Sequence, residues 1–325
     1  MRAAYYEKNG AVRDVLMLGD VETPQPGPGE VRVKLRTSGV NPSDVKSREG
    51  RTRKIAFPRV IPHSDGAGDI DVVGDGVPAS RVGERVWTWN GQWKRPFGTC
   101  AEYIVLPADL AVKLPAHIGY EAGACLGIPA MTAWHAVEVS GIGKGSSVLV
   151  TGGAGGVGHY AIQFAKARGA TVLTTISGDA KADLARKAGA DHCINYRTEN
   201  VGEGVMAATA KKGVDAVIDM DFSSNAKLAP AILHPRSRFV VYGNSQPEAT
   251  IPSQFMLTNF IGIQYIFVYE LTAQERASAV DGINKMLEGK SLINNVALTL
   301  PLAEIHAAHE AVEQGKALGN VVVTL

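Results

Sequence analysis

The stretch SVLVTGGAGGVGH, residues 147–159, carries more information than any other part of this chain. An apolar, strand-forming run at 148–150 passes directly into Gly153, Gly155 and Gly158, and apolar residues then recur at helical spacing to about 168. A G-x-G-x-x-G pattern set between a strand and a helix lets the backbone approach the pyrophosphate of a dinucleotide. On this reading Gly153 permits the tight turn, Gly155 the close approach to the ligand, and Gly158 the close packing of helix on strand. The unpaired N–H groups opening the helix then face the anion, which makes Gly153, Ala154, Gly155, Gly156, Val157 and Gly158 candidate cofactor-binding residues.

The flanking sequence agrees. Expected elements are a helix at 121–139, strand 171–176, helix 180–187, strand 192–195, helix 202–211, strand 214–219, helix 226–233 and strand 238–242. A last apolar strand follows at 260–267. Strands alternating with helices imply right-handed crossovers and a parallel sheet covered on both faces. With that many β-α units in register, a glycine-rich turn without a ligand is the weaker reading.

Residues 1–118 read differently, as short extended pieces (31–40, 69–73, 85–89, 101–106 and 111–114) set between turns rich in proline and glycine. Strands without intervening helices suggest an antiparallel, barrel-like module. The closing rhythm (helix 273–288, strand 296–300, helix 303–314, strand 320–324) reads as a return to that module. The expected fold class is therefore α/β: a discontinuous β-barrel domain (1–125 and 268–325) with an inserted Rossmann, doubly wound parallel-sheet domain (126–267).

Composition sets the outer limits. A chain of 325 residues exceeds what one hydrophobic core usually organises. Its 45% hydrophobic and 20% charged residues exclude disorder, collagen and coiled coil. A net charge of +1 provides no field to gather nucleic acid or an anionic membrane. The apolar runs are too short to span a bilayer, and the N-terminus lacks the apolar core of a secretory signal. Cys100, Cys125 and Cys193 are widely spaced and form no disulfide framework. A cytoplasmic protein is expected.

The choice of dinucleotide follows from the second strand. A free ribose 2′-hydroxyl is usually met by an acid at that strand's end. Here the strand runs into Ser177 and Lys181 with no acid at its end. A hydroxyl and an ammonium suit a 2′-phosphate, so NADP(H) is expected.

These segments, with GVNPSD (39–44), SDGAG (64–68), GTCAEY (98–103), GIPAMTAW (127–134), INYR (194–197) and VVYGN (240–244), occur in an order that resembles the medium-chain dehydrogenase/reductase superfamily. Within it the chain is similar to the zinc-independent quinone oxidoreductases related to zeta-crystallin, whose first domain is GroES-like. The superfamily's zinc-dependent alcohol dehydrogenases bind a catalytic metal through cysteine, histidine and cysteine. Those positions fall here on Asn41, Ser64 and Ile128, with Cys125 close to the last. An amide, a hydroxyl and an alkyl chain do not bind Zn²⁺, so no metal site is expected. His306 and His309, three apart on a helix, are read as part of an ordinary amphipathic face.

The resemblance implies further site residues. Asn41 is expected by the nicotinamide and the substrate, and Thr132, Tyr196, Tyr242, Gly243, Asn244, Ile266 and Asn320 along the cofactor. Where many relatives have a substrate-side tyrosine, this chain has Lys46. Asn41 and Lys46 are thus the candidate catalytic donors to a developing enolate or hydroquinone oxygen. Trp93 is the better pocket candidate among the tryptophans, since Trp87 and Trp89 alternate as core residues would.

The expected activity is hydride transfer from NADPH to a quinone or an α,β-unsaturated carbonyl compound. Alternatives are a non-catalytic, zeta-crystallin-like NADPH-binding protein and, less favoured, a zinc-type alcohol dehydrogenase. A short-chain dehydrogenase is disfavoured because no Tyr-x-x-x-Lys occurs. The apolar run at 260–268 lacks charge and proline, and is expected to be an edge strand pairing with its copy in a homodimer.

Overall fold

Along Glu30–Val40 burial alternates, with Val31, Val33 and Leu35 inside and Arg32, Lys34 and Arg36 turned outward. That is the period of a strand with one face on a core. The computed structural model describes residues 1–325, and the chain divides into two compact units. The first comprises Met1–Pro129 and Ile283–Leu325, the second Ala130–Gly282.

In chain order the first unit opens with strands β1 (Arg2–Tyr5), β2 (Met17–Asp20), β3 (Glu30–Val40), β4 (Asp65–Val73), β5 (Arg85–Thr88), β6 (Tyr103–Pro107) and β7 (Ala111–Lys113). The second unit contains β8 (Ser147–Val150), β9 (Thr171–Ile176), β10 (His192–Asn195), β11 (Val214–Asp219), β12 (Leu233–Val241) and β13 (Gly262–Tyr265). The chain then supplies β14 (Val296–Pro301) and β15 (Asn320–Thr324) to the first unit.

The first unit's main sheet has the order β14-β15-β3-β4-β5-β7, with β6 also on β3. It is antiparallel except for the β14–β15 pair. The β1–β2 hairpin and a helix at Pro42–Glu49 had no expected counterpart. That helix buries only Asp44, Val45 and Arg48, so no apolar stripe announces it. Its punctuation is local: Asn41 caps it, Pro42 opens it, and Gly50 closes it at φ 80°.

The second unit's sheet is parallel throughout, in the order β10-β9-β8-β11-β12-β13. The order reverses at β8: the chain first steps to β9 and β10, then returns to β11 on the other side. Such a switch point leaves a crevice at the carboxyl ends of the strands.

Several expected elements change here. The helix expected at 121–139 is broken into Tyr120–Gly123, a wide turn at Leu126–Ala130 and a helix at Met131–Ser140, because Pro129 offers no N–H. The helix expected at 226–233 is a series of single turns (Phe222–Asn225, Ala226–Leu228 and Ala229–Ile232). The last strand is four residues long, not eight. Residues 268–282, expected with the first unit, lie in the second. Trp134 Nε1 donates to Ser278 Oγ at 3.3 Å, and Ser278 Oγ donates to Glu138 at 2.8 Å, tying the start of helix Ala273–Glu288 to helix Met131–Ser140.

Candidate active site

The glycine loop follows β8. Gly152 carries the left-handed turn, at φ 69°, a role expected of Gly153. Gly153 is needed instead because a Cβ there would collide with Thr174 Oγ1. Gly155 caps helix Gly156–Ala167, and its N–H donates to the Gly152 carbonyl at 2.9 Å. A Cβ on Gly158 would collide with that same carbonyl. The first-turn amides of Gly156, Val157 and Gly158 therefore point out of the helix start at the switch point, the arrangement that receives an anion.

All six strands end at one edge, which gathers most of the expected cofactor residues. Ser177 follows β9, and Tyr196 follows β10, with its N–H on the Ile176 carbonyl at 3.1 Å. Tyr196 is 53% exposed and Lys181 half-buried, so a hydroxyl, a phenol and an ammonium border one corner. Arg197, the last residue of the INYR motif and exposed, adds a guanidinium that is not among the expected cofactor residues. Tyr242, Gly243 and Asn244 follow β12, and Ile266 follows β13, its N–H on the Val241 carbonyl. Thr132 is buried in the first turn of helix Met131–Ser140.

Beneath the glycine loop lies Asp219, the last residue of β11 and fully buried. Its Oδ1 accepts from Thr151 Oγ1 at 2.7 Å and Asn225 Nδ2 at 2.8 Å, while Oδ2 is buried without a partner. Burial raises its pKa, only partly offset by those donors. The Tyr242 phenol is pushed up by burial and by the charge of Asp219. Asp221 behaves oppositely: burial disfavours its charge, yet the Ser223 and Ser224 hydroxyls and the Ser245 N–H hold it at about 2. Asp219 is absent from the residues expected at the site, although an acid ending an apolar strand is a signal that could have found it.

The first unit holds Asn41, Lys46 and Asn320. Asn41 is buried, and its Nδ2 donates to Asp65 Oδ2 at 2.7 Å. The other oxygen of Asp65 accepts from the Ile128 N–H at 2.8 Å. The Asn41 N–H donates to Asp44 Oδ2 at 2.8 Å. Burial pushes Asp44 up to about 7 and Asp65 well above the usual carboxylate range, against the hydrogen bonds from Asn41 and Ile128. Lys46 is half-buried in the last turn of the same helix. Asn320 opens β15, and its Nδ2 donates to the Asn295 carbonyl at 3.1 Å. Trp87 and Trp89 are core residues, and Trp93 is half-exposed.

Behind Asp65 runs a buried polar chain. His309 Nε2 and His63 Nε2 are 2.9 Å apart, His63 Nδ1 and Ser38 Oγ 2.8 Å, and Ser38 Oγ and Thr99 Oγ1 2.7 Å. Thr99 Oγ1 donates to the Asp65 carbonyl at 2.6 Å. Each hydroxyl and each neutral imidazole has one proton to give, so the direction is determined: His309 donates to His63, His63 to Ser38, and Ser38 to Thr99. His309 Nδ1 remains as a buried acceptor without a partner. His309 thus belongs to the core side of helix Ile305–Glu313, not to its polar face.

The three positions expected to correspond to the zinc ligands of related dehydrogenases are occupied otherwise: the Asn41 side chain and the Ile128 backbone both bind Asp65, and Ser64 is buried beside it. This donor set does not fit zinc.

The parallel sheet with its glycine loop at the switch point, joined in one chain to the antiparallel module, defines a dinucleotide-dependent oxidoreductase. The chain belongs to the medium-chain dehydrogenase/reductase superfamily. The family model described as alcohol dehydrogenase GroES-like domain matches residues 27–116, and that described as zinc-binding dehydrogenase matches 156–285. A 2-haloacrylate reductase of a Burkholderia species is 30% identical, over 99% of this chain and 98% of its own. The human quinone oxidoreductase is also 30% identical, over 100% and 98%. Among solved structures, a mycobacterial protein complexed with NADPH is 28% identical at a TM-score of 0.88, covering 100% of both chains. A protein described as NAD-dependent alcohol dehydrogenase reaches 0.91 at 28% identity, again over 100% of both.

Proposed function

We propose that this oxidoreductase uses NADP(H) to reduce a quinone or an α,β-unsaturated carbonyl compound without zinc, as a cytoplasmic homodimer. The observation that carries the reading is the Asp65 carboxylate held between the Asn41 amide and the Ile128 N–H, at positions where a zinc enzyme needs thiolates. Without a metal to polarise an alcohol or a ketone, the natural acceptor is one already electron-poor. Relatives named quinone oxidoreductase and 2-haloacrylate reductase support both kinds of acceptor, and the neighbour complexed with NADPH supports the cofactor.

When bound, the reduced dinucleotide supplies the hydride, and a proton completes the two-electron reduction. The amides of Gly156, Val157 and Gly158 would hold its pyrophosphate. Ser177, Lys181 and Tyr196 would hold a 2′-phosphate, with Tyr242, Gly243, Asn244, Ile266, Thr132 and Asn320 as further cofactor neighbours. Asn41, its amide oriented by Asp65, and the Lys46 ammonium would donate to the substrate oxygen as charge develops.

The test is a steady-state screen of quinones and enones after exhaustive chelation. Turnover with NADPH is expected to survive chelation, and Lys181→Ala is expected to narrow the preference for NADPH over NADH by about tenfold, the loss of one charge-assisted hydrogen bond. Loss of turnover restored by added zinc would overturn the metal-free reading, and equal affinity for both cofactors the NADP(H) assignment.

A further inference from the structure

From Lys46 to Arg59 the chain carries six basic residues: Lys46, Arg48, Arg51, Arg53, Lys54 and Arg59. In a protein with a net charge of +1 that is a local excess. Much of it has an internal partner. Arg48 meets Glu313, Arg51 meets Glu49, and Arg59 meets Glu7 at 2.7 Å.

Arg53 is held in another way. Its Nη2 donates to Gln92 Oε1, and its guanidinium lies 5.1 Å from the centroid of the Trp93 ring. Gln92 is only 6% exposed and is itself anchored, its Nε2 donating to the Arg95 carbonyl at 2.8 Å. Lys94 Nζ lies 5.7 Å from the centroid of the same indole. A buried amide and a flat ring therefore fix a guanidinium whose partners include no carboxylate at ion-pair distance. Arginine so oriented keeps part of its planar fork of N–H donors for an oxyanion, at little further entropic cost.

The place is the Asn41 end of the first unit. Gly91, next to Gln92, donates its N–H to the Ser64 carbonyl at 2.9 Å, and Ser64 precedes Asp65, which holds Asn41. Arg53 also lies within electrostatic reach of Asp44, the residue bonded to the Asn41 N–H. Burial pushes Asp44 up to about 7, so it does not fully offset Arg53 at neutral pH.

We propose that the substrate is an anion: a quinone or α,β-unsaturated carbonyl compound bearing a carboxylate or sulfonate, its charge met by Arg53 and its flat body by Trp93. This rests on the reading of the protein as a quinone or enone reductase and names the substrate class within it. A wholly neutral acceptor would use the ring and leave the Arg53 fork without a role.

The experiment compares matched pairs with NADPH: 1,2-naphthoquinone against 1,2-naphthoquinone-4-sulfonate, and 2-cyclohexenone against its 3-carboxylate. The charged member of an accepted pair is expected to have the higher kcat/KM by about tenfold, carried by KM and diminished by salt. Arg53→Gln should collapse that ratio and Arg53→Lys restore part of it, with thermal unfolding of both variants measured alongside to establish that they fold. Turnover with no preference for charge, or a preference that survives Arg53→Gln, overturns the anionic class and leaves the reductase reading standing. No turnover of any of the four compounds overturns the reductase reading, and this inference with it.

Discussion

His63 combines two features that seldom coincide. It is fully buried, and it sits in the left-handed backbone region at φ 76°, where a β-carbon is normally unwelcome. The side chain holds it there, through Ser38 on one nitrogen and His309 on the other. Burial keeps the ring neutral and lowers its pKa to about 3. Because the folded value lies below the unfolded 6.5, this group's contribution is intact above about pH 6.5 and is lost as pH falls toward 3. Asp44 and Asp65 act in the opposite sense, since their raised values favour the folded state as protons are added. A comparison with His63→Asn cancels them, and asparagine tolerates the backbone angle. The variant is expected to be less stable by about 1–3 kcal/mol at pH 8. The gap should narrow by about 1.4 kcal/mol per pH unit below 6.5. Urea unfolding at several pH values checks this, and a constant gap would contradict it.

Among the elements, the loop between β8 and helix Gly156–Ala167 carries the most sequence signal and the least tolerance. Its location, its strand and its helix were all legible, because glycines clustered between an apolar strand and an amphipathic helix mark a backbone that must pass close to something else. Which glycine does which work was not: Gly152 makes the turn, and Gly153 makes room for Thr174. Such roles depend on what approaches from β9, which lies some twenty residues away in the chain. Gly158→Ala is expected to push the helix start off the Gly152 carbonyl, costing about 1–3 kcal/mol as overpacking does. It should weaken dinucleotide binding while leaving the far-ultraviolet circular dichroism unchanged. Wild-type affinity in that variant would mean that the loop does not hold the cofactor. Helix Pro42–Glu49 shows the converse, an element invisible to hydrophobic periodicity yet essential for placing Asn41.

At the level of assembly, β13 is the edge of the parallel sheet, and Phe260, Tyr265 and Phe267 around it are 68%, 57% and 54% exposed. Pairing of this edge with a second copy would bury them, which is the basis of the proposed homodimer. Ile263 packs in part on the sheet's own core, so charging it would test folding as much as association. Tyr265→Lys combined with Phe267→Lys addresses the edge more directly. The wild type is expected to sediment as a dimer at micromolar concentration and the double variant as a folded monomer. A monomeric wild type removes the proposal.

The order of the strands and helices around residue 147 and the glycine loop between them were readable from the amino-acid sequence, because each depends on residues close in the chain. The partners of Asp65, the buried His63–His309 pair, the placement of Asp219 beneath the glycines and the seating of Arg53 on Trp93 were not. Each joins residues separated by tens to hundreds of positions, and no local periodicity records which distant side chain will meet a buried charge. Packing makes those pairings: once a polar group is enclosed, the cost of leaving it unpaired selects the neighbour that can answer it.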